Sequence, residues 1–144
     1  MNEYVFAELE VGKKESFCVQ IKEDMEDMFR ELTGDINPLH RYDDFARKIG
    51  GGRFEGHVTF GMLTASFYST LVGVYLPGRN SLIHSLEVKF LHPVYAGDQL
   101  TVMGEVVDRQ EELGLILVKA SITNQKGQKV SKATIKILVM EEEE

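Results

Sequence analysis

Alternating apolar and polar residues predict an opening strand, and helical spacing follows it directly. Phe17, Val19 and Ile21 are separated by single residues, which is the period of a strand with one buried face. From about Glu23 to Thr33 apolar residues recur at intervals of three and four, which predicts an amphipathic helix. Its predicted buried face consists of Met25, Met28, Phe29 and Leu32. Gly34 is suited to end this helix in a left-handed conformation.

The most apolar stretch, from about Phe60 to Tyr75, predicts a long helix that is buried on several sides. Its large residues fall on one stripe, and small residues occupy much of the remaining surface. The stripe consists of Phe60, Leu63, Phe67, Leu71 and Val74. A shorter helix is predicted from Asp43 to Ile49, where acids at the start and bases near the end complement the helix dipole.

The second half of the chain changes to the period of strands. The predicted strands are His84–Leu91, Leu100–Val107, Leu113–Thr123 and Val130–Met140. Short turns between consecutive strands predict that they meander as an antiparallel sheet. One highly apolar helix followed by such a sheet predicts an α+β fold, with the antiparallel sheet wrapped around a long central helix. We expect a single domain over residues 1–140 and a disordered acidic tail at residues 141–144.

Composition and charge limit the classes of partner. The 144 residues suit one domain, and the formal net charge of −7 argues against nucleic-acid binding, which favours a basic face. No apolar run approaches the length of a membrane span, and the N-terminal residues lack the apolar core of a signal peptide. We therefore expect a cytoplasmic protein that binds neither nucleic acid nor membrane.

The candidate chemistry lies just after the first helix, where Asp35 precedes His40. Asn37 stands before Pro38, which favours an extended residue followed by a new turn, and such a turn would swing His40 back toward Asp35. A buried carboxylate and a neutral imidazole that face one gap can hold a water and exchange protons with it. The alternative is structural, because Gly-Asp and Asn-Pro are common turn dipeptides. Asp35 would then cap backbone, and His40 would lie on the surface.

The stretch from Phe29 to Ala46 resembles the signature of the hydratase 2 family, which comprises (R)-specific enoyl-CoA hydratases and MaoC-like dehydratases. The matching positions are Phe29, Leu32, Thr33, Gly34, Asp35, Asn37, Pro38, Leu39, His40 and Ala46. Gly61 to Ser66 is similar to the opening of the family's central helix, and Pro93 to Asp98 to a later turn of the family. The resemblance covers nearly the whole chain and implies a single MaoC-like hotdog domain, which usually pairs into dimers.

The resemblance also implies roles for individual residues. Asp35 and His40 would activate water for addition to a trans-2-enoyl thioester, or for the reverse dehydration. The N–H of Gly61 would bind the developing enolate oxygen, and Asn37 would orient the loop or the pair. Ser66 matches a serine that lines the site in relatives, although a small packing residue is an equal alternative.

One position departs from the family pattern. Relatives usually carry histidine directly before the glycine of the central helix, and this chain carries Phe60. Because that histidine is not the catalytic one, the chemistry can survive, but the acyl pocket can change shape.

No motif indicates a cofactor or a metal site. The expected substrate is a short or medium acyl thioester of coenzyme A or acyl carrier protein. The candidate contacts to this anionic carrier are Lys48, Arg53, Arg79 and Lys89, and the alternative for each is a solvated surface charge.

Two other functions stay open at the level of sequence. A hotdog thioester hydrolase would need an acid or base elsewhere and would leave the Asp35–His40 arrangement without a purpose. A non-catalytic subunit would bind an acyl thioester and leave it unchanged. Release of free thiol distinguishes hydrolysis from hydration, and the absence of any turnover distinguishes the binding subunit.

Overall fold

The computed structural model describes residues 1–142, in which a five-stranded antiparallel sheet is accompanied by three α-helices. In chain order the elements are β1 (Lys14–Gln20), α1 (Glu23–Thr33), α2 (Asp43–Ile49), α3 (Gly61–Thr70), β2 (Ser81–Phe90), β3 (Gln99–Gln110), β4 (Leu115–Thr123) and β5 (Lys129–Val139). Short 3₁₀ turns occupy Phe6–Glu8, Pro38–His40 and Glu111–Leu113, and a wider π-type turn, Leu71–Tyr75, continues α3. The predicted α+β fold, with a sheet and a central helix, is confirmed.

The strand order corrects one prediction. The sheet runs β1-β3-β4-β5-β2, so β3, β4 and β5 form the expected meander while β2 lies at the edge, beside β5. The connection after β2 explains the difference, because it is a loop and not a tight turn. In this loop the carbonyl of Val94 accepts a hydrogen bond from the N–H of Thr59 at 2.8 Å, which draws the chain toward the start of α3. β1 pairs with β3 at the opposite edge.

The core forms where α3 packs against one face of the sheet. Tyr68 of α3 is fully buried, and its hydroxyl donates to Oγ of Ser131 on β5 at 2.9 Å. The inward residues of the central strands are also fully buried, among them Val102, Val118 and Ile135. The exposure of Met62 is 67%, however, and Ser66 and Ser69 are exposed as well. The prediction that this helix is enclosed on several sides is therefore only partly correct for the single chain.

α1 has the predicted bounds, but only part of its predicted face is buried. Gly34 ends it with φ of 74°, a left-handed conformation that suits glycine. The predicted apolar face is only partly correct. Met25 and Phe29 are partly buried, and Phe29 packs against Phe60, whereas Met28 and Leu32 are 60% and 83% exposed. The most buried residue of α1 is the charged Glu26, with 1% exposure, and its carboxylate lies 3.2 Å from Nε2 of His57.

The two ends of the chain meet at the surface. The backbone N–H of Phe6 donates to the carboxylate of Glu141 at 3.1 Å, so the first residue of the predicted tail contacts the rest of the protein. Glu143 and Glu144 lie outside the described residues, so the prediction of tail disorder is not addressed there. Within residues 1–142, no helix has the length and apolar character needed to cross a membrane.

Candidate active site

Two linked side-chain turns shape the loop after α1. Oδ1 of Asp35 accepts a hydrogen bond from the N–H of Asn37 at 3.1 Å, and Oδ1 of Asn37 accepts from the N–H of Leu39 at 3.0 Å. Asn37 thereby caps the 3₁₀ turn that begins with Pro38 and ends with His40. Short polar side chains favour such turns because they replace the missing backbone partners. The sequence Asp-x-Asn-Pro-x-His thus builds the turn that brings its own histidine back.

Three contacts fix His40. Its Nδ1 lies 2.7 Å from the carbonyl oxygen of Val58, and its own carbonyl accepts from Nη2 of Arg30 at 3.1 Å. The ring of Phe60 lies 4.3 Å from the imidazole, measured between centroids, with an angle of 30° between the planes. Because a carbonyl oxygen only accepts, the proton of the neutral imidazole resides on Nδ1. Nε2 is therefore the nitrogen available to accept a proton.

Asp35 and His40 line one cleft of about 470 Å³. The other residues of its lining are Phe29, Thr33, Phe60, Gly61, Met62 and Phe90. A neighbouring cleft of about 350 Å³ shares His40, Gly61 and Phe90 with the first and is mostly apolar. A carboxylate and an imidazole nitrogen that face one space next to apolar surface can hold a water beside a bound acyl group.

The burial predicted for the carboxylate is wrong for the single chain. Asp35 is exposed, and His40 is only partly buried. The physical reason is that Asp35 lies on the loop directly after α1. Ile36 in this loop is also 78% exposed, and nothing in residues 1–142 covers the outer side of the loop. The cleft is therefore open on one side.

Gly61 and Ser66 occupy different environments on α3. Gly61 is the first residue of the helix, where backbone N–H groups have no partner within the helix. A Cβ atom built there would lie 3.1 Å from the ring of Phe90, so a side chain would crowd the cleft. Ser66 donates to the carbonyl of Leu63 within its own helix, and it is not among the described residues that line these two clefts. The role expected of Ser66 stays a prediction.

Phe60 is part of the wall of the site. It is 2% exposed, its ring lies 4.9 Å from that of Phe29, and the guanidinium of Arg30 lies 5.6 Å from its centroid. The position directly before Gly61 is thus filled by an apolar ring packed against His40. Arg30 was not predicted as a site residue, because one arginine on a helix face carries no distinctive sequence signal.

A second polar cluster, also missed from the sequence, lies behind the site. Nδ1 of His57 is 2.6 Å from Oδ1 of Asp43, and its Nε2 is 3.2 Å from carboxylate oxygens of both Glu26 and Glu23. Burial raises the pKa of Glu26, and hydrogen bonds from the backbone and ring of His57 lower the pKa of Asp43. Glu26 and His57 are 31 positions apart, so spacing along the chain could not reveal the contact.

The same cluster is relevant to metal binding. Donor atoms of Glu23, Glu26 and His57 lie within 4.8 Å of one another, which is the only such group of three among the described residues. Spacing along the chain does not indicate this group, because His57 is 31 positions from Glu26. Hydrogen bonds between the imidazole and the carboxylates already account for the arrangement, so we assign no metal to it.

Two of the predicted carrier contacts have protein partners in the structure. Nη1 of Arg79 pairs with Glu3 at 3.2 Å, and Nε of Arg53 donates to the carbonyl of Gly50 at 2.8 Å. Arg53 also lies 5.9 Å from the ring centroid of Phe54, which lines the smaller cleft. Of the four candidates, Arg53 has the clearest connection to the site.

Comparison with known proteins gives a consistent result. Residues 7–131 match a family model described as MaoC like domain. The chain is 34% identical over 119 residues to an (R)-specific enoyl-CoA hydratase of Aeromonas caviae, covering 83% of this chain and 87% of that protein. It is 35% identical over 103 residues to a 3-hydroxybutyryl-CoA dehydratase of Methylorubrum extorquens, covering 72% of this chain and 64% of that protein.

Solved structures agree with the sequence relatives. The structure of the (R)-hydratase from Aeromonas caviae superposes with a TM-score of 0.84 at 30% identity, covering 92% of this chain and 98% of that one. An unliganded R-hydratase from Pseudomonas aeruginosa gives a TM-score of 0.86 at 29% identity, covering 96% and 86%. The similarity therefore extends over nearly the full length of both hydratases.

Proposed function

Because this chain belongs to the MaoC-like domain family, we propose that it catalyses the reversible (R)-specific hydration of trans-2-enoyl thioesters. The observation that carries the proposal is that Asp35 and His40 line one cleft together with Gly61 at the start of α3. This set contains a water-binding pair and a backbone donor, which are the groups that the reaction needs. The relatives that are named as hydratases and dehydratases support the same reaction class.

In the proposed mechanism, Asp35 and Nε2 of His40 bind one water between them. The pair removes a proton as the water oxygen bonds to C3 of the enoyl group, and the electrons of the double bond move to the thioester oxygen. The N–H of Gly61 at the helix start stabilises this enolate, because preorganised donors act where charge develops. The pair then returns a proton to C2, which completes the addition of water without any cofactor.

The surroundings of the pair suit an acyl thioester. Phe29, Phe60 and Phe90 supply apolar wall beside the polar groups, which fits a carbon chain next to a reacting carbonyl. We propose coenzyme A or acyl carrier protein as the carrier, with Arg53 as a contact for its anionic part. An enzyme that uses such thioesters fits a cytoplasmic location.

We also propose that the active enzyme is a homodimer formed through the edge strand β2. In residues 1–142 only one side of β2 pairs with another strand. Three of its apolar side chains, Leu82, Leu86 and Phe90, are 55%, 43% and 53% exposed. An exposed edge with apolar side chains favours pairing with another strand. Because Phe90 lines the cleft with Asp35, a second copy there would cover the open side of the site.

Substitution of the pair tests the proposal. Asp35→Asn and His40→Ala should each reduce hydration of crotonyl-CoA by about 10²–10⁴-fold, which is the typical contribution of a general acid or base. The exposed Asp24 on α1 provides a matched control, and Asp24→Asn should retain wild-type turnover. Circular dichroism and thermal unfolding would establish that the variants are folded. Near-normal turnover in folded Asp35→Asn or His40→Ala would refute the assignment of the pair.

A further inference from the structure

We infer that His57 is a positioning residue for His40, because its imidazole holds in place the backbone carbonyl that binds the His40 ring. The inference rests on the proposed function, in which Nε2 of His40 exchanges protons with the reacting water. It concerns a group outside the cleft, since His57 is not among the described residues that line either cavity. It acts through its neighbour Val58.

The His40 ring depends on Val58 for its orientation and its tautomer. The carbonyl of Val58 is 2.7 Å from Nδ1 of His40, and the N–H of Val58 donates to the carbonyl of Leu39 at 3.1 Å. These two bonds tie residue 58 to the carbonyl of Leu39 and to the ring of His40. An unconstrained neutral imidazole prefers its proton on Nε2, so the Val58 carbonyl selects the opposite tautomer. Displacement of Val58 would release the ring to carry its proton on the reacting nitrogen.

Hydrogen bonds on both sides of Val58 hold its segment in place. On one side, the backbone N–H of His57 donates to Oδ1 of Asp43 at 2.9 Å, and on the other the N–H of Thr59 donates to the carbonyl of Val94 at 2.8 Å. The segment belongs to no helix or strand, so its position depends on these individual bonds. The His57 side chain adds contacts to Glu26 of α1 and to Asp43 of α2.

Carboxylates on both sides of the His57 ring form an electrostatic clamp. Asp43 of α2 faces Nδ1, and Glu23 and Glu26 of α1 face Nε2. The positive charge of Arg47, which follows on α2, also lowers the pKa of Asp43. An imidazolium ion donates through both nitrogens and so satisfies carboxylates on both sides at once. Burial alone would lower the pKa of His57, but the hydrogen bond to Asp43 and the neighbouring glutamates raise it above its ordinary value.

α1 supports both histidines from one face. Glu26 contacts His57, and Arg30, four positions later on α1, donates to the carbonyl of His40 at 3.1 Å. Residues four apart lie on the same side of a helix, one turn from each other. Asp35 follows the end of the same helix, so α1 sets both members of the catalytic pair relative to each other.

The test combines ¹⁵N NMR of the histidine side chains with steady-state kinetics. In the wild-type protein, the neutral form of His40 should show the Nδ1–H tautomer. The variant His57→Leu removes both ring nitrogens and should shift His40 toward the Nε2–H form. It should lower kcat by up to about 100-fold while KM stays near the wild-type value, because small displacements of a reacting group have effects of this size.

The pH profile supplies a readout that a merely structural role would not change. The clamp is complete below the ordinary pKa of histidine and is lost as pH rises through the raised pKa of His57. Wild-type kcat should therefore decline on the alkaline side. Asp43→Asn weakens the main contact that raises this pKa, so the decline should move to lower pH. The matched control is Asp44→Asn, because Asp44 is exposed and pairs only with Arg47 in the described residues, and it should leave the profile unchanged.

The outcomes separate this inference from the function on which it rests. If wild-type protein shows no hydration, the proposed function fails, whatever the NMR result. If His57→Leu is folded and His40 keeps its tautomer, the inference is overturned, whether or not kcat falls. If His57→Leu does not fold, the comparison of Asp43→Asn with Asp44→Asn decides. If kcat declines over the same alkaline pH range in both variants, the inference is overturned. If the decline moves to lower pH in Asp43→Asn alone, the inference is supported.

Discussion

At the scale of single residues, Phe60 gives the proposed site an aromatic wall. Its ring is buried among Phe29, Arg30 and His40, and none of these contacts requires a polar atom from Phe60. A histidine at this position would bring two ring nitrogens into a space that offers mainly aromatic faces and a cation. Buried polar groups without partners are unfavourable, whereas an apolar replacement loses only packing.

This environment predicts an order of stabilities. Phe60→His should lower the free energy of unfolding by about 1–3 kcal/mol, the range for a buried polar group without a partner. Phe60→Leu should lower it by less, because leucine adds no polar atom. Urea denaturation of the two variants and the wild type at one pH measures the difference. A Phe60→His protein that is more stable than Phe60→Leu would show that the pocket does supply partners for an imidazole.

At the scale of elements, sequence patterns predicted what depends on local contacts. Gly34 as the end of α1 and the bounds of α2 follow from turn chemistry and charge placement, and both are observed. The pairing of β2 with β5 depends on where a long loop leads, which periodicity does not encode. Periodicity also does not encode the contact of Glu26 with His57, since no local pattern indicates a buried glutamate.

The candidate site was predictable to a similar degree. The short turn that brings His40 into the same cleft as Asp35 follows from the sequence Asn-Pro, because proline and asparagine define the local backbone. The supporting contacts from Arg30 and Val58 come from distant segments, and one of them is a backbone carbonyl. A carbonyl is present at every position, so the sequence holds no sign of which one will bind a histidine.

The edge strand β2 carries a prediction about assembly. Sedimentation velocity at micromolar concentration should show a dimer for the wild-type protein. Leu86→Asp should shift the protein to a monomer, because it places a charge on the exposed apolar edge. Leu113 is a matched control, since it is 63% exposed in the turn between β3 and β4, and Leu113→Asp should remain dimeric. A wild-type monomer under these conditions would contradict the proposed dimer.

At the scale of the whole molecule, the fold brings three separate segments to one cleft. The loop after α1 supplies Asp35 and His40, the start of α3 supplies Gly61, and the end of β2 supplies Phe90. α3 is anchored by the core through Tyr68, so the proposed backbone donor lies on a rigid element, while the proposed reacting pair lies on a capped loop. This division suits a reaction in which proton exchange and charge stabilisation occur at different atoms of the substrate.

The measurement that tests this account most directly is the fate of crotonyl-CoA mixed with the protein. If the protein is an (R)-specific hydratase, absorbance of the conjugated thioester falls and a thiol reagent in a parallel sample detects no free coenzyme A. Chiral analysis should then identify the product as (R)-3-hydroxybutyryl-CoA. Release of thiol in step with the loss of absorbance would instead identify a hydrolase. A product of the (S) configuration, or binding without any turnover, would equally contradict the central claim.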